Sequence, residues 1–317
     1  MATLTATPNP RSLADAGDTS SVRLPFAAIV LAMLPAVLDQ TILATALPTI
    51  AGDLGRLTDV SLLVTAYVVA ATASTPLWGK LGDRHGRKLL LQVSLGGFVA
   101  ASALCGVAQD MAQLIATRTV QGLFAGGLMT LAMAAVGDIV APRERGRYQG
   151  YIAATFAAAT VVGPLLGGVL VDNVDWRWVF YVNVPVGAIA LLGLSLKLPA
   201  PAADRPDRSL DLIGAALLAG ATSAFVLVCA WGGDRYEWGS APIVALIAAT
   251  LVLSAALVLR ERRAEDPIVP LRLLGTPTVA VASAALFLGT AALFAVTVFV
   301  PLFLQAATGA SPTEAGL

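Results

Sequence analysis

Nine apolar runs, each about as long as a bilayer is thick, constrain this chain more than any other feature. They occupy residues 24–47, 60–78, 89–108, 114–137, 148–171, 179–198, 210–231, 241–259 and 279–303. Crossing about 30 Å of hydrocarbon takes roughly 20 apolar residues in a helix. A barrel strand would be half that length and would alternate apolar with polar residues, which these runs do not. The expected fold class is therefore all-α, a polytopic transmembrane helical bundle with nine spans. Composition leads to the same place. Hydrophobic residues make up 57% of the 317 and charged residues only 13%, with a mean hydropathy of +0.80. Soluble chains carry roughly 25% charged residues, and a water-soluble body this size could not cover its surface with so few.

The loops set the orientation, because lysine and arginine concentrate on the cytoplasmic side. With the N-terminus in the cytoplasm, sixteen of the twenty basic residues fall on that side. Three (Arg56, Arg177 and Arg235) fall outside, and Arg118 lies within a span. A multi-pass protein of the cell membrane with a cytoplasmic N-terminus is expected. All five tryptophans, Trp78, Trp176, Trp178, Trp231 and Trp238, lie at span ends, where an amphipathic ring suits the headgroup level. Residues 1–23 are polar and lack the basic start and short apolar core of a signal peptide; a disordered cytoplasmic tail is expected there. Transporters built from repeated halves have an even, symmetric helix count. An odd nine leads to the expectation that the chain is the N-terminal part of a longer transporter.

Other function classes are excluded by what the sequence contains. Twenty acidic residues cancel twenty basic ones, leaving no basic patch for nucleic acid. Cys105 and Cys229 lie in separate apolar runs, and His85 is the single histidine. No CxxC pair or Cys/His cluster is formed, so neither metal nor cofactor is expected. No nucleophile–base constellation points to an enzyme, and no Gly-rich phosphate loop of the GxxxxGK[ST] type points to ATP as the energy source.

Ionisable groups inside a span are costly and mark function. Asp39 lies nine residues before Pro48, and Arg118 eight residues after Asp110. At 1.5 Å per residue both sit roughly 12–14 Å below the outer surface. Equal depth makes them a candidate pair, direct or through water. Arginine does not release its proton, so Arg118 would tune Asp39, the group that carries the proton. Gln40, Gln121, Asn183 and Gln305 are further polar groups in or beside spans, either hydrogen-bonding between helices or lining a cavity. Gly122/Gly126 and Gly163/Gly167 are small-xxx-small pairs that admit a close neighbour. Pro164 removes a backbone donor next to Gly163 and permits a bend.

Five segments then carry a family resemblance. Residues 79–88, GKLGDRHGRK, resemble motif A of the major facilitator superfamily. Residues 118–122, RTVQG, resemble its motif B, and residues 163–168, GPLLGG, its antiporter motif C. Residues 38–48, LDQTILATALP, and 175–187, DWRWVFYVNVPVG, resemble the first span and sixth-span entrance of the fourteen-helix drug:proton antiporter family. Departures are Ala159 where motif C usually opens with glycine, Phe124 among the small residues of motif B, and Ala44 in the span-one motif.

The resemblance implies a major-facilitator fold and an organisation. A tail over 1–23 precedes a six-helix bundle over 24–198, built of two inverted three-helix repeats. A cytoplasmic linker over 199–209, an extra helix pair over 210–259 and a cytoplasmic loop over 260–278 follow, and 279–317 opens an incomplete C-terminal bundle. It implies proton coupling at Asp39 and Arg118, with Gln121 and Gly122 completing motif B. It also implies a conformational latch at Gly79, Gly82, Asp83, Arg84, Gly86 and Arg87, in which Asp83 meets Arg143 or Arg145. Lys88 is expected to be solvated. Gly163, Pro164, Gly167 and Gly168 would bend or seal span five. The implied function is secondary active export of small, lipophilic molecules in exchange for protons by a monomer in the lipid bilayer. The alternative is a symporter, or an exporter of one metabolite, with the same fold.

Overall fold

The computed structural model describes residues 19–54, 57–199, 211–233, 235–264, 268 and 275–308. Residues 1–18 of the expected tail, all but residue 199 of the expected linker and much of the 260–278 loop lie outside these, as does the side chain of Gln305. The described residues form ten helices. In chain order they are α1 (Thr19–Leu54), α2 (Leu57–His85), α3 (Arg87–Gly106), α4 (Met111–Ile139), α5 (Arg145–Asn173), α6 (Trp178–Tyr181), α7 (Asn183–Lys197), α8 (Leu212–Trp231), α9 (Ala241–Glu261) and α10 (Pro277–Thr308). Eight spans are long and apolar enough to cross a membrane, with α6 and α7 together making the sixth, and α10 contributes a further apolar helix.

Most helices run a few residues past the expected spans, and α2 continues through the first residues of the GKLGDRHGRK segment to His85 rather than ending at 78. The first helix begins at Thr19 and runs past Pro48 to Leu54, longer than 24–47 at both ends. A proline costs its own N–H and not the whole helix, and packed neighbours absorb that loss within a membrane bundle. The last turn of α1 is also pinned, because the Trp176 indole donates to Asp53 Oδ2 at 2.8 Å. The hydrogen-bond ladder of the sixth span is interrupted at Val182, between α6 and α7, while the residue keeps helical dihedrals (φ −57°, ψ −27°). Pro185 is tolerated there because the first-turn N–H groups of a helix have no partner within it.

The described residues group into two compact units, Met1–Val258 and Leu259–Leu317. In the first, α1 packs against α5 and α7, α4 packs against α2 and α3, and α1 meets α4 between them. The third members also touch, α3 against α7, and α8 lies on α2. Glycine makes the tightest of these contacts possible. A Cβ on Gly122 or Gly126 would strike the backbone carbonyl of Tyr67 or Ala71 on α2, and one on Gly163 or Gly167 would strike Thr41 or Thr45 on α1. Thr41 Oγ1 also reaches Ala159 O at 3.4 Å. Against Gly168 nothing stands within 4 Å. The turn between α2 and α3 needs Gly86 for a different reason: its φ of +94° is strained for any residue with a side chain.

The apolar interior of the six-span bundle falls into two clusters. One, toward the Gly86 end, holds Phe26, Met33, Phe98, Leu128 and Leu194. The other, toward the Asp110 end, holds Ile42, Ile50, Leu63, Leu114 and Phe180. Two of the tryptophans expected at the headgroups are instead part of this packing. Trp176 is only 2% exposed, and Trp78 donates from its indole to Leu123 O on α4 at 2.7 Å. Each ring finds a partner inside that an aqueous interface would otherwise supply.

Gly122→Ala and Gly167→Ala are expected to lower the thermal stability of detergent-purified protein by about 1–3 kcal/mol through overpacking. Gly168→Ala is expected to be neutral or slightly stabilising, since alanine favours helix and the space is open.

Candidate functional site

Between the two apolar clusters lies a thin polar layer to which four spans contribute. Asp39 comes from α1, Ser102 from α3, Arg118 and Gln121 from α4, and Asn183 from the first position of α7. All five are buried, Asp39, Ser102 and Gln121 completely. On α1 the neighbours Ala36 and Leu38 belong to opposite clusters, as do Leu114 and Ala125 on α4. The layer therefore interrupts an otherwise continuous core.

Its geometry is closed around one carboxylate. Arg118 Nη1 donates to Asp39 Oδ2 at 2.5 Å and to Gln121 Oε1 at 2.7 Å. Gln121 Nε2 donates to Asp39 Oδ1 at 2.9 Å, and Asn183 Nδ2 donates to the same oxygen at 3.1 Å. Asn183 Nδ2 also meets Ser102 Oγ at 3.0 Å, and that hydroxyl donates onward to Phe180 O at 2.9 Å. Cys105 Sγ reaches Gln121 Oε1 at 3.6 Å. The two ionisable groups placed at equal depth by residue counting are thus in direct contact. The guanidinium does not grip the carboxylate with both arms. One nitrogen serves Asp39 and Gln121, while the plane of the group stacks on the Tyr67 ring at 4.2 Å and faces Phe180 at 5.7 Å.

Tyr67 belongs to two environments. One face holds Arg118, and the residue also lines a cleft of about 230 Å³ between α1, α2 and α4. Gln40, Thr72, Thr75 and Met129 line the same cleft. Ala71, Ala125 and Gly126 line it as well, the first and last where α2 and α4 approach most closely. A molecule seated there would be one aromatic ring away from the buried charge pair.

At the Gly86 end, the residues of the GKLGDRHGRK segment meet α4. Arg87 pairs with Asp83 at 2.9 Å and with Asp138 at 2.5 Å, and its Nη1 also donates to Ala134 O at 2.8 Å. Gly82 is held so close to α4 that a Cβ would strike Leu131, and Gly79 lies beside Thr130 with ordinary clearance. Arg84 is exposed on the same turn. Arg145 donates to Gly137 O at 2.8 Å, closing the end of α4. Lys88, expected in solvent, instead donates to Ser195 O and Leu198 O and caps α7. The free carbonyls of a helix C-terminus attract such a cation. At the opposite end Arg177 stacks on Trp176 at 4.4 Å and reaches Ala108 O at 3.3 Å.

Residues 29–317 match the family described as the Major Facilitator Superfamily. The chain belongs to this superfamily. An uncharacterized MFS-type transporter of Mycobacterium tuberculosis is 42% identical over 293 residues, covering 92% of this chain and 42% of that protein. Multidrug transporter protein MdtP of Bacillus subtilis is 36% identical over 300 residues, covering 95% and 55%. Multidrug resistance protein 3 of the same organism is 35% identical over 288 residues, covering 91% and 56%. The chain spans about half the length of the curated relatives it matches. Among solved structures, the proton:xylose symporter XylE shares the fold at a TM-score of 0.60 and 14% identity, over 94% of this chain and 65% of that one. The human organic anion transporter MFSD10 shares it at 0.55 and 20% identity, over 71% and 59%. This superfamily consists of transporters rather than enzymes.

Residue spacing points to Asp39, Arg118, Gln121 and the glycine pairs, but not to Ser102, Tyr67 or Asp138. Ser102 stands one helical turn before Cys105, on the face that meets Gln121, which is visible only once α3 is known to pack on α4. Asp138 offers the signal of a carboxylate at the end of an apolar run facing a basic loop.

Arg118→Lys keeps a charge near Asp39 but loses the stack on Tyr67. A desolvated cation–π contact is worth about 2 kcal/mol, and each 1.4 kcal/mol is tenfold. Transport is expected to fall at least about tenfold while membrane insertion is retained. Arg118→Met leaves Asp39 buried without its cation and is expected to cost about 3–5 kcal/mol of stability. Uptake assays alongside thermal unfolding in detergent distinguish the two.

Proposed function

We propose that this chain supplies the proton-coupled half of an exporter that moves small lipophilic molecules out across the cell membrane in exchange for protons. The observation that carries the proposal is the Asp39–Arg118 pair, buried in the bundle, with Arg118 stacked on Tyr67, which also lines a cleft. A carboxylate so placed can take a proton from one side and release it to the other, and Arg118 sets how readily it does so. Relatives named as multidrug transporters at about 35% identity support small-molecule export. The cleft is smaller than the roughly 300–1,000 Å³ of drug-sized sites. We take it as one wall of the substrate path, with Gln40, Thr72 and Thr75 offering hydrogen bonds against an apolar background.

The remaining residues have roles in alternating access. With the N-terminus cytoplasmic, Asp83, Arg87 and Asp138 form a latch at the inner end of α2, α3 and α4, with Gly82 allowing the approach. Exposed pairs are worth only about 0–1 kcal/mol each, so the latch draws on Arg87's three contacts together. Gly163 and Gly167 hold α5 against α1 and seal the path, with Pro164 giving the bend. The packing of α1 on α5 and α7, mirrored by α4 on α2 and α3, supports two exchangeable three-helix repeats with Asp39 and Arg118 on the first helix of each. The exporter works as a monomer, and no cofactor takes part. A membrane potential supplies about 2.3 kcal/mol per charge per 100 mV, enough for a substrate gradient of roughly fifty-fold.

The test uses the protein expressed from its full reading frame in everted membrane vesicles energised to an acidic interior. Adding lipophilic cations or neutral drugs is expected to make the lumen more alkaline, and Asp39→Asn is expected to abolish this with the protein still inserted. Wild-type proton release from the Asp39→Asn vesicles would reject the assignment, and substrate-driven acidification would indicate import.

A further inference from the structure

The donors around Asp39 are not held equally, and one of them stands out. The carboxylate accepts three N–H groups, from Arg118, Gln121 and Asn183. Two of the three, from Gln121 and Asn183, converge on Oδ1 and fill its two lone pairs. A proton that binds Oδ1 therefore displaces one of those two donors. Arg118 is fixed by its second bond to Gln121 and by the Tyr67 stack. Gln121 is fixed through its oxygen, which accepts from Arg118 and from Cys105. Asn183 is fixed only through its nitrogen. Its Oδ1 is buried and has no hydrogen-bond partner among the described residues.

The helical hydrogen-bond ladder is also interrupted next to Asn183. That residue opens α7 directly after Val182, which keeps helical dihedrals (φ −57°, ψ −27°), and Pro185 has no N–H to offer the preceding turn. Its remaining contact, Ser102 Oγ, is committed by its own proton to Phe180 O on α6. The side chain thus bridges Asp39 to both sides of the interruption in the sixth span.

We propose that Asn183 is a positioning residue that holds Asp39 in its charged form and withdraws when the proton arrives, passing the change to the α6/α7 junction. This rests on the proton-coupled reading above. In the charged state, Nδ2 spans Asp39 Oδ1 and Ser102 Oγ. When a proton binds Oδ1, the new O–H replaces the incoming N–H, Nδ2 keeps Ser102, and α7 is released from α1. When the proton leaves, the carboxylate draws Nδ2 back. The titratable and charged groups facing Asp39 are Arg118 on α4, Tyr67 on α2 and Cys105 on α3. Phe180 comes from α6, and α5 meets α1 beside the site through Ala159 and Gly163.

The experiment measures the pH dependence of drug-evoked proton release in the vesicle assay, using the full reading frame. Asn183→Leu removes the donor and keeps the volume. The charged carboxylate then lacks one of its three donors, and the midpoint of drug-evoked proton release is expected to move up by about one pH unit. Ser102→Ala leaves the Asp39 contact but removes the support behind Asn183, and a smaller upward shift is expected. Asn183→Ser restores a short donor and is expected to fall between wild type and Asn183→Leu. A wild-type midpoint in Asn183→Leu, with only the rate reduced, would overturn the proposal and make Asn183 a packing residue. Should Asn183→Leu fail to insert, unshifted midpoints in both Ser102→Ala and Asn183→Ser would overturn it equally. Wild-type protein without proton release would instead reject the proton-coupled reading, so the two failures are distinguishable.

Discussion

An arginine and an aspartate buried against each other inside an apolar bundle are the constraint around which the rest of the first unit is arranged. Neither charge is tolerable alone at that depth, so their elements must be brought together, and α1 and α4 meet at the centre of the packing. The pair does not satisfy itself. Gln121, Asn183 and Ser102 extend it into a layer that divides the core in two. Such a layer is a poor contributor to stability compared with apolar packing of the same volume. On the proposed reading, its value lies in allowing one buried charge to be neutralised and restored.

Close helix approach is the condition under which that layer forms. Arg118 and Gln121 sit on the same helix as Gly122 and Gly126, and the glycines bring the α2 backbone against α4. This sets the Tyr67 ring over the guanidinium at 4.2 Å. On the other side, Gly163 and Gly167 bring α5 against α1 just beyond Asp39. The charged layer and the glycine contacts are therefore one arrangement. Bulk added at the glycines would change the geometry of the pair without touching either charged group.

Much of this was legible in the sequence, for physical reasons. Apolar runs about as long as a bilayer is thick report spans because unpaired backbone cannot lie in lipid. A constant rise per residue, counted from Pro48 and Asp110, put Asp39 and Arg118 at one depth before any contact was known, although α1 runs on to Leu54. What escaped was direction. Trp176 and Trp78 lie at span ends by counting, yet their indoles turn inward to Asp53 and Leu123, because a ring at a helix end can face either way. Lys88 reads as one more loop cation until the end of α7 is found beside it. Asn183 reads as a lone polar group in an apolar run, and only the packing of α7 against α1 and α3 gives it partners. The extension of α1 through Pro48 was hidden because proline signals an end when taken alone.

The central claim is that the proton exchanged for substrate is bound by Asp39. The most direct measurement places purified, full-reading-frame protein in unbuffered detergent solution and records the proton released when a permanently charged lipophilic cation binds. A cation without a titratable group carries no proton of its own, so any release comes from the protein. The account predicts proton release on binding in the wild type, and none in Asp39→Asn at comparable cation occupancy. Equal release from Asp39→Asn would contradict it, because the exchanged proton would then reside elsewhere in the molecule.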